Sequence, residues 1–332
     1  MNINRIIISR TDSIGDVMLT LPMCGVLKKH LPACEIIFLG RTYTKAVIEC
    51  SSFVDHFENW DEWNDTSPQN QIDQLTKWKA DVIIHVFPRK EILWVAKRAR
   101  ITWRIATGRR LQTITKCNKL VFFTRKNSQL HEAQLNIKLL SPLGIKDTYA
   151  TTELADLSGF SAPTAPTEQY VLAKANVQID NSTVRQRIVL HPLSQGSAVE
   201  WGLKNFQQLI DLLDPNECDV FITGTKAEGE RIKQKHTWSG NHVHVLCGVF
   251  NLEELIVFIS TCDVLVAAST GPLHIAAALG IRAIGLYSPK RPIHSGRWAP
   301  LGVDAHVLVS DKHPVKGEYL DIDPDKVLNL ID

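Results

Sequence analysis

At 332 residues the chain is too long for a comfortable single core and suits two domains. An apolar fraction of 44% with 22% charged residues is that of an ordinary globular protein and excludes a disordered or fibrous chain. The net charge of +2 gives no global argument for a nucleic-acid partner, and seven scattered cysteines without a CxxC pair argue against a disulfide framework or a zinc site. No stretch approaches the roughly 20 apolar residues that span a bilayer. The opening MNINRIIISRTDSIGDVMLTLP has no secretory apolar region. These readings place the protein in the cytoplasm, at most resting on the inner membrane.

Short β-branched runs alternate with helix-length amphipathic segments, the pattern of parallel sheets covered by helices. In chain order the predicted strands are Ile6–Ser9, Glu35–Leu39, Asp81–Val86, Thr102–Ala106 and a run near Leu120–Phe123. A stretch rich in Ser, Pro, Thr and Ala, SGFSAPTAPTEQ, then marks a crossing between halves. Strands resume at Ile188–His191, Asp219–Thr223, His242–Leu246, Val264–Ala267 and Ala283–Tyr287. The expected architecture is α/β, with two Rossmann-like, doubly wound domains facing each other across a cleft. The first domain is expected over residues 1–160, a linker over 161–184 and the second domain over 185–332, with the extreme C-terminal segment a candidate to pack back on the first domain.

Ligands of such sheets bind outside the carboxyl ends of the strands, and three strand-to-helix loops carry unusual residues. The first is R-T-D-S-I-G-D, before VMLTLPMCGVLKK. Gly15 suits a tight turn there. Asp16 is either a helix cap or a carboxylate placed as general base, and Asp12 competes for the second role. The second loop, P-L-S-Q-G-S-A-V-E-W after His191, offers hydroxyls and amides from Ser194, Gly196 and Ser197, or is a plain turn. The third, S-T-G-P-L-H, precedes the helix pattern IAAALG. Gly271 permits close approach of a ligand, Pro272 suits the first helical position, and the helix N-terminus favours a pyrophosphate. His274 lies within reach of the same anion, or is a satisfied histidine on a capped helix.

Other signals carry nothing. No GxGxxG follows a strand. Gly224–Gly229 has P-loop glycine spacing, but Glu230 and Arg231 stand where Lys and Ser or Thr are required. His131-Glu132 lacks the second histidine of a zinc protease, since Leu135 stands at that position.

On the three ordered motifs the chain resembles glycosyltransferase family 9, the lipopolysaccharide heptosyltransferases, along nearly its whole length. The resemblance implies a GT-B fold and a transferase that needs no metal and no cofactor. It implies Asp16 as catalytic base, and donor binding by Ser194, Gly196, Ser197, Glu228, Phe250, Ser269, Thr270, Gly271 and His274. Two residues depart from the family pattern: Ser269 stands where an acid is usual, and Val199 where a cation is frequent. Lys204, Lys226 or an arginine of Arg291–Arg297 is a candidate to restore the charge.

On the acceptor side, Lys97 to Arg110 reads KRARITWRIATGRR without an acid, and Arg89 and Lys90 follow the third strand. This is either a solvated basic face or a wall for an anionic acceptor, which arginine binds in a bidentate way. The expected acceptor contacts are Arg10, Asp12, Arg89, Lys90 and Arg109. The expected partners are ADP-heptose and a lipopolysaccharide-type acceptor, with peripheral membrane contact and no nucleic acid. A different nucleotide sugar, or a non-catalytic sugar- or nucleotide-binding homologue, remain the alternatives.

Overall fold

The computed structural model describes residues 3–125, 128–176, 185–315 and 317–331, and it divides the chain into two units, 1–161 and 162–332. The first unit holds six strands: β1 (Arg5–Ser9), β2 (Glu35–Gly40), β3 (His56–Asn59), β4 (Val82–His85), β5 (Trp103–Thr107) and β6 (Lys119–Val121). All pair in parallel, in the order β3-β2-β1-β4-β5-β6. The second unit holds β7 (Gln186–His191), β8 (Cys218–Ile222), β9 (Val243–Val245), β10 (Val264–Ala268), β11 (Arg282–Tyr287) and β12 (Ala305–Val309). Their order, β12-β11-β10-β7-β8-β9, is the same one reached by the same connections, and every pair is parallel. The chain is therefore α/β with two Rossmann-like units, the GT-B type of fold.

Central strands are buried on both faces, as parallel sheets covered by helices require. Ile6, Ile7 and Ile8 are all shielded from solvent, as are Ile188, Val189 and Leu190. Strand order reverses between β1 and β4 in the first unit and between β7 and β10 in the second. At such a switch point the adjacent connections leave toward opposite faces and open a crevice at the carboxyl ends of the strands. The loops after β1, β4, β7 and β10 are thereby the ones positioned to hold ligands.

Several local expectations are corrected. The apolar run after Arg10 forms two helices, Ile14–Met18 and Leu21–His30, because Pro22 can open a helix but cannot sit inside one. Gly15 lies in the first turn of the former, with no left-handed backbone. Within 161–184, Glu168–Lys174 is a helix rather than a linker. It buries Val171 and Leu172, and its Lys174 Nζ lies 2.7 Å from the Glu254 carboxylate of the Leu252–Ser260 helix, so this stretch belongs to the second unit. Residues 177–184 of the expected linker lie outside the described residues.

The C-terminal segment also belongs to the second unit. Leu320, Ile322, Val327 and Ile331 are buried in one apolar cluster with Trp201, Phe206, Ile210 and Ile284. Trp201 is fully buried, and its indole N–H donates to the Ile322 carbonyl at 2.8 Å. Burial of those four apolar side chains in the second unit's own core holds the segment there. Ile331→Ala is expected to destabilise the second unit by about 2–5 kcal/mol. Urea unfolding followed by Trp201-sensitive fluorescence checks this, and an unchanged midpoint would show that the chain end contributes no core.

Candidate active site

At the carboxyl end of β1 the chain buries a guanidinium. Arg10 is 3% exposed, and burial of its charge is opposed by three carboxylates. Its Nε donates to Asp12 Oδ1 at 2.6 Å, its Nη2 to Asp16 Oδ1, and its Nη1 lies 3.8 Å from Glu132 Oε1. Desolvation lowers the Arg10 pKa, but Asp12, Asp16 and Glu132 together outweigh it and hold the group above its ordinary value. Glu132, itself almost fully buried, also pairs with Arg125, whose Nη1 donates to Asn136 Oδ1 at 2.9 Å. Asn136 in turn donates to the Leu19 carbonyl at 2.9 Å and so ties this cluster to the break between the first two helices.

Ser13, not Asp16, caps the Ile14–Met18 helix. Its hydroxyl accepts from the Asp16 amide, while Asp16 occupies the third helical position and accepts from Ser13 Oγ through Oδ2. Both oxygens of Asp16 are thus oriented, one by Arg10 and one by Ser13, and the side chain keeps 19% of its surface open. Asp12 is raised to about 6, mainly by desolvation and also by the charge of Asp16, against the lowering effect of Arg10. Tyr43 Oη donates to the Asp12 carbonyl, and Arg89 Nη2 to the Thr11 carbonyl at 2.9 Å. These bonds fix the loop from the neighbouring connections.

Arg10, Asp12, Asp16 and Arg89 are therefore brought together around the loop after β1. Lys90 and Arg109 are exposed and stand outside this network. Much of the basic run has structural work instead. Arg104 Nε donates to the Lys116 carbonyl at 2.8 Å, Lys97 to the Thr115 carbonyl at 3.0 Å, and Arg98 covers the Trp94 ring at 5.5 Å. Glu132, Arg125 and Tyr43 escaped sequence reasoning. Ser13 was missed as well, although Ser followed three residues later by an acid is a capping-box spacing that could have pointed to it.

In the second unit, the loop after β7 turns at Gln195 and Gly196, which have φ of 51° and 84°. A glycine at 196 tolerates that backbone, and a Cβ there would meet open space, so the turn presents bare main chain. Glu200 organises the loop: it accepts from the Ser194 amide at 3.0 Å, and Ser194 Oγ donates to the Ala198 carbonyl at 2.8 Å. Ser197 Oγ donates to the Ser194 carbonyl at 2.8 Å and lies 3.5 Å from the carbonyl of Ser269, which joins the loops after β7 and β10.

Thr270 and Gly271 open the Gly271–Ala278 helix, with Pro272 in its first turn. The Thr270 hydroxyl is buried, with the residue 7% exposed, and no group among the described residues bonds to it. It makes no cap to its own helix. A buried hydroxyl beside free helix amides is the donor set of an anion site. His274, 3% exposed, lies in the same first turn.

Glu228 and Phe250 sit at the carboxyl side of β8 and β9. Glu228 is buried in a capping box, where Oε2 accepts from the Thr225 amide at 2.7 Å and from Thr225 Oγ1 at 2.9 Å. Its charge also faces His191, whose pKa burial lowers and Glu228 partly restores. Phe250 is half-buried against Phe258 at 4.9 Å between ring centroids. Of the two departures, Val199 packs against the second unit's core, while Ser269 remains partly open. Lys204 and Lys226 are both exposed.

Residues 115–318 match the family model described as glycosyltransferase family 9 (heptosyltransferase), more than half of the chain. The chain belongs to that family. A Haemophilus influenzae protein provisionally named a glycosyltransferase is 26% identical over 307 residues, covering 91% of this chain and 88% of the relative. Two Escherichia coli structures share the fold. The ADP-heptose lipopolysaccharide heptosyltransferase II superposes with a TM-score of 0.75 at 18% identity, over 99% of this chain and 97% of the other. Heptosyltransferase WaaC with ADP superposes with 0.67 at 18% identity, over 98% of each. As a family 9 member the protein is of a transferase family, and the loops at its two switch points are where that chemistry is to be sought.

The charge cluster makes a titration testable. A carboxyl raised in the folded state holds its proton longer than in the unfolded chain, so its stabilising effect is full below about 3.9 and lost as pH rises through about 6. Carboxyl carbon NMR is expected to show Asp12 titrating near that upper value and moving down in Asp16→Asn, because a neighbouring negative charge is removed. A midpoint unmoved by the substitution would separate the two carboxylates.

Proposed function

We propose that the protein transfers a glycosyl group, a heptose carried on ADP, to an anionic lipopolysaccharide-type acceptor. The observation that carries the donor half is the buried, unpartnered Thr270 hydroxyl at the N-terminus of the Gly271–Ala278 helix. Free amides there, together with the positive end of the helix, suit the negative charge of a diphosphate. The loop of Ser194, Gly196 and Ser197, held against Ser269, supplies further amides and hydroxyls from β7. ADP as the nucleotide is supported by the two E. coli enzymes of the same fold, one an ADP-heptose heptosyltransferase and the other bound to ADP.

In this reading Asp16 is the general base. Arg10 and Ser13 orient its carboxylate, and the acceptor hydroxyl takes the position of Ser13 Oγ, gives its proton to Asp16 and attacks the anomeric carbon. The bond from that carbon to the diphosphate oxygen breaks, and the developing negative charge goes to Thr270, Gly271 and the β7 loop. Arg10 and Arg89 supply positive potential on the acceptor side, with Lys90 and Arg109 as exposed contributors. Glu228, Phe250 and His274 are assigned to the nucleotide and sugar. Because protein groups take up the diphosphate charge, turnover is expected to persist in EDTA. A second reading places the base at Asp12, whose carboxyl is raised by burial to about 6 and which lies in the same loop.

Calorimetry with ADP, UDP and GDP tests the donor, with ADP expected to bind best. Thr270→Val is expected to weaken ADP about tenfold through loss of one hydrogen bond. Preference for UDP or GDP would overturn the donor, and binding of none would favour a non-catalytic homologue. Asp16→Asn is expected to leave ADP affinity unchanged and to lower transfer about 10²- to 10⁴-fold. The same loss in Asp12→Asn, with Asp16→Asn still active, would move the base to Asp12.

A further inference from the structure

His131 and Glu132 form no zinc motif, but they open the Glu132–Ile137 helix of the first unit. His131 caps its start: Nδ1 accepts from the Ala133 amide at 3.3 Å, and the His131 amide donates to Gln134 Oε1 at 2.9 Å. Gln134 also donates to the Tyr149 carbonyl at 2.8 Å. The first turn is thereby fixed, with Glu132 only 1% exposed. A carboxylate so deeply buried needs a cation, and Arg125 alone would satisfy it. Arg10 stands beside it as well.

Arg10 turns each of its three guanidinium nitrogens to a different carboxylate: Nε to Asp12, Nη2 to Asp16 and Nη1, at 3.8 Å, to Glu132. The group is planar and rigid, so fixing one nitrogen constrains the direction of the other two. Glu132 therefore bears on Asp16 through Arg10. The same helix reaches Asp16 from its main-chain side. Asn136 Nδ2 donates to Thr20 Oγ1 at 3.2 Å, and Thr20 Oγ1 donates to the Asp16 carbonyl at 2.8 Å. With Arg125 joined to both Glu132 and Asn136, the contacts close into a ring that begins and ends at Asp16.

In and beside this ring two guanidiniums face three carboxylates, Asp12 included. Other charged side chains around the loop have partners of their own, Arg89 in the Thr11 carbonyl and Arg41 in Asp61. Tyr43 donates to the Asp12 carbonyl. An acid beside Arg10 offsets part of its pull on the neighbouring carboxylates, so each keeps more affinity for a proton. Glu132 is such an acid, and it lies outside the loop in which the base is placed. We propose that Glu132 is a positioning residue of the transfer reaction, acting through Arg10 to hold the Asp16 carboxylate in place and leave it able to take a proton. This rests on the reading of the loop after β1 as the seat of the general base, at Asp16 or at Asp12. Its first measurement uses neither donor nor acceptor.

The experiment is a carboxyl-carbon NMR titration of the full chain, followed by the pH profile of transfer from ADP-heptose to deacylated lipopolysaccharide. Glu132→Gln keeps the side chain's shape and removes its charge. The Asp12 midpoint, near 6 in the unaltered chain, is expected to move down, because a negative charge is lost and Arg10 acts more fully on its remaining acids. The acid limb of the transfer profile is expected to move with it, with turnover falling about tenfold as the base weakens and ADP affinity unchanged. Arg125→Gln leaves Glu132 to Arg10 alone, and midpoint and limb are expected to move up. Should Glu132→Gln fail to fold, the upward shift in Arg125→Gln decides alone. Midpoints and limbs that stay in place in both variants, even where stability or turnover falls, overturn the proposal and leave Glu132 a structural ion pair. Absence of transfer by the unaltered chain would overturn the transferase reading, while the NMR midpoints would still decide whether Glu132 sets the charge of this loop.

Discussion

A guanidinium buried at the end of a central strand needs carboxylates around it, and the first unit is arranged to satisfy Arg10. Removing water from one cation costs several kcal/mol, and leaving it unpaired would cost the fold about 3–5 kcal/mol. Asp12 and Asp16 come from the loop and helix that follow, and Glu132 comes from a helix more than a hundred residues away. The same network therefore closes the unit in sequence and sets the electrostatics of the loop after β1. Asp12 rises because it is desolvated beside Asp16, and Asp16 is oriented because Arg10 holds one of its oxygens. Stability and the proposed reactivity are drawn from one set of contacts.

The second unit solves a different problem with the same sheet. Its loops after β7 and β10 carry no buried cation. They use a left-handed turn at Gln195 and Gly196, a carboxylate at Glu200 that fixes the loop from behind, and a helix start with an unpartnered hydroxyl. The anion site proposed there needs donors without bulk, and main-chain amides, a glycine and a threonine are what these loops offer. The identical strand order in the two units puts both kinds of loop at equivalent places, where the connections diverge.

The strands that the sequence made legible are those with alternating or continuous apolar patterning in the middle of each sheet. Of the four edge strands, β6 and β9 were anticipated from their apolar runs, whereas β3 and β12 were not. His56–Asn59 reads HFEN, too short and polar to signal a strand, and it lies at the margin of its sheet. Ala305–Val309 also sits at an edge, where half-exposed positions weaken any burial pattern. The loop residues of the site were visible because motifs are local. Glu132 was not, since a contact between residues 10 and 132 leaves no trace in spacing. Glu228 shows the converse: T-K-A-E reads as a capping box, and the structure uses its carboxylate for that cap. The basic run after Lys97 looked uniform in sequence, yet Arg104, Lys97 and Arg98 are occupied by carbonyls and an indole, which only tertiary structure reveals.

The two positions where the chain departs from its family differ in what holds them. Val199 packs against the core shared by Trp201 and Phe206, whereas Ser269 sits at the mouth of a strand with part of its surface open. Change at 269 can thus be accommodated while the fold stays as it is. Change at 199 is tied to the interior, and a cation there would have to carry its stem across apolar ground before its charge reached water. Within one loop system, mutational freedom is unequal. Variation among close relatives would be expected to accumulate at the first position well before the second.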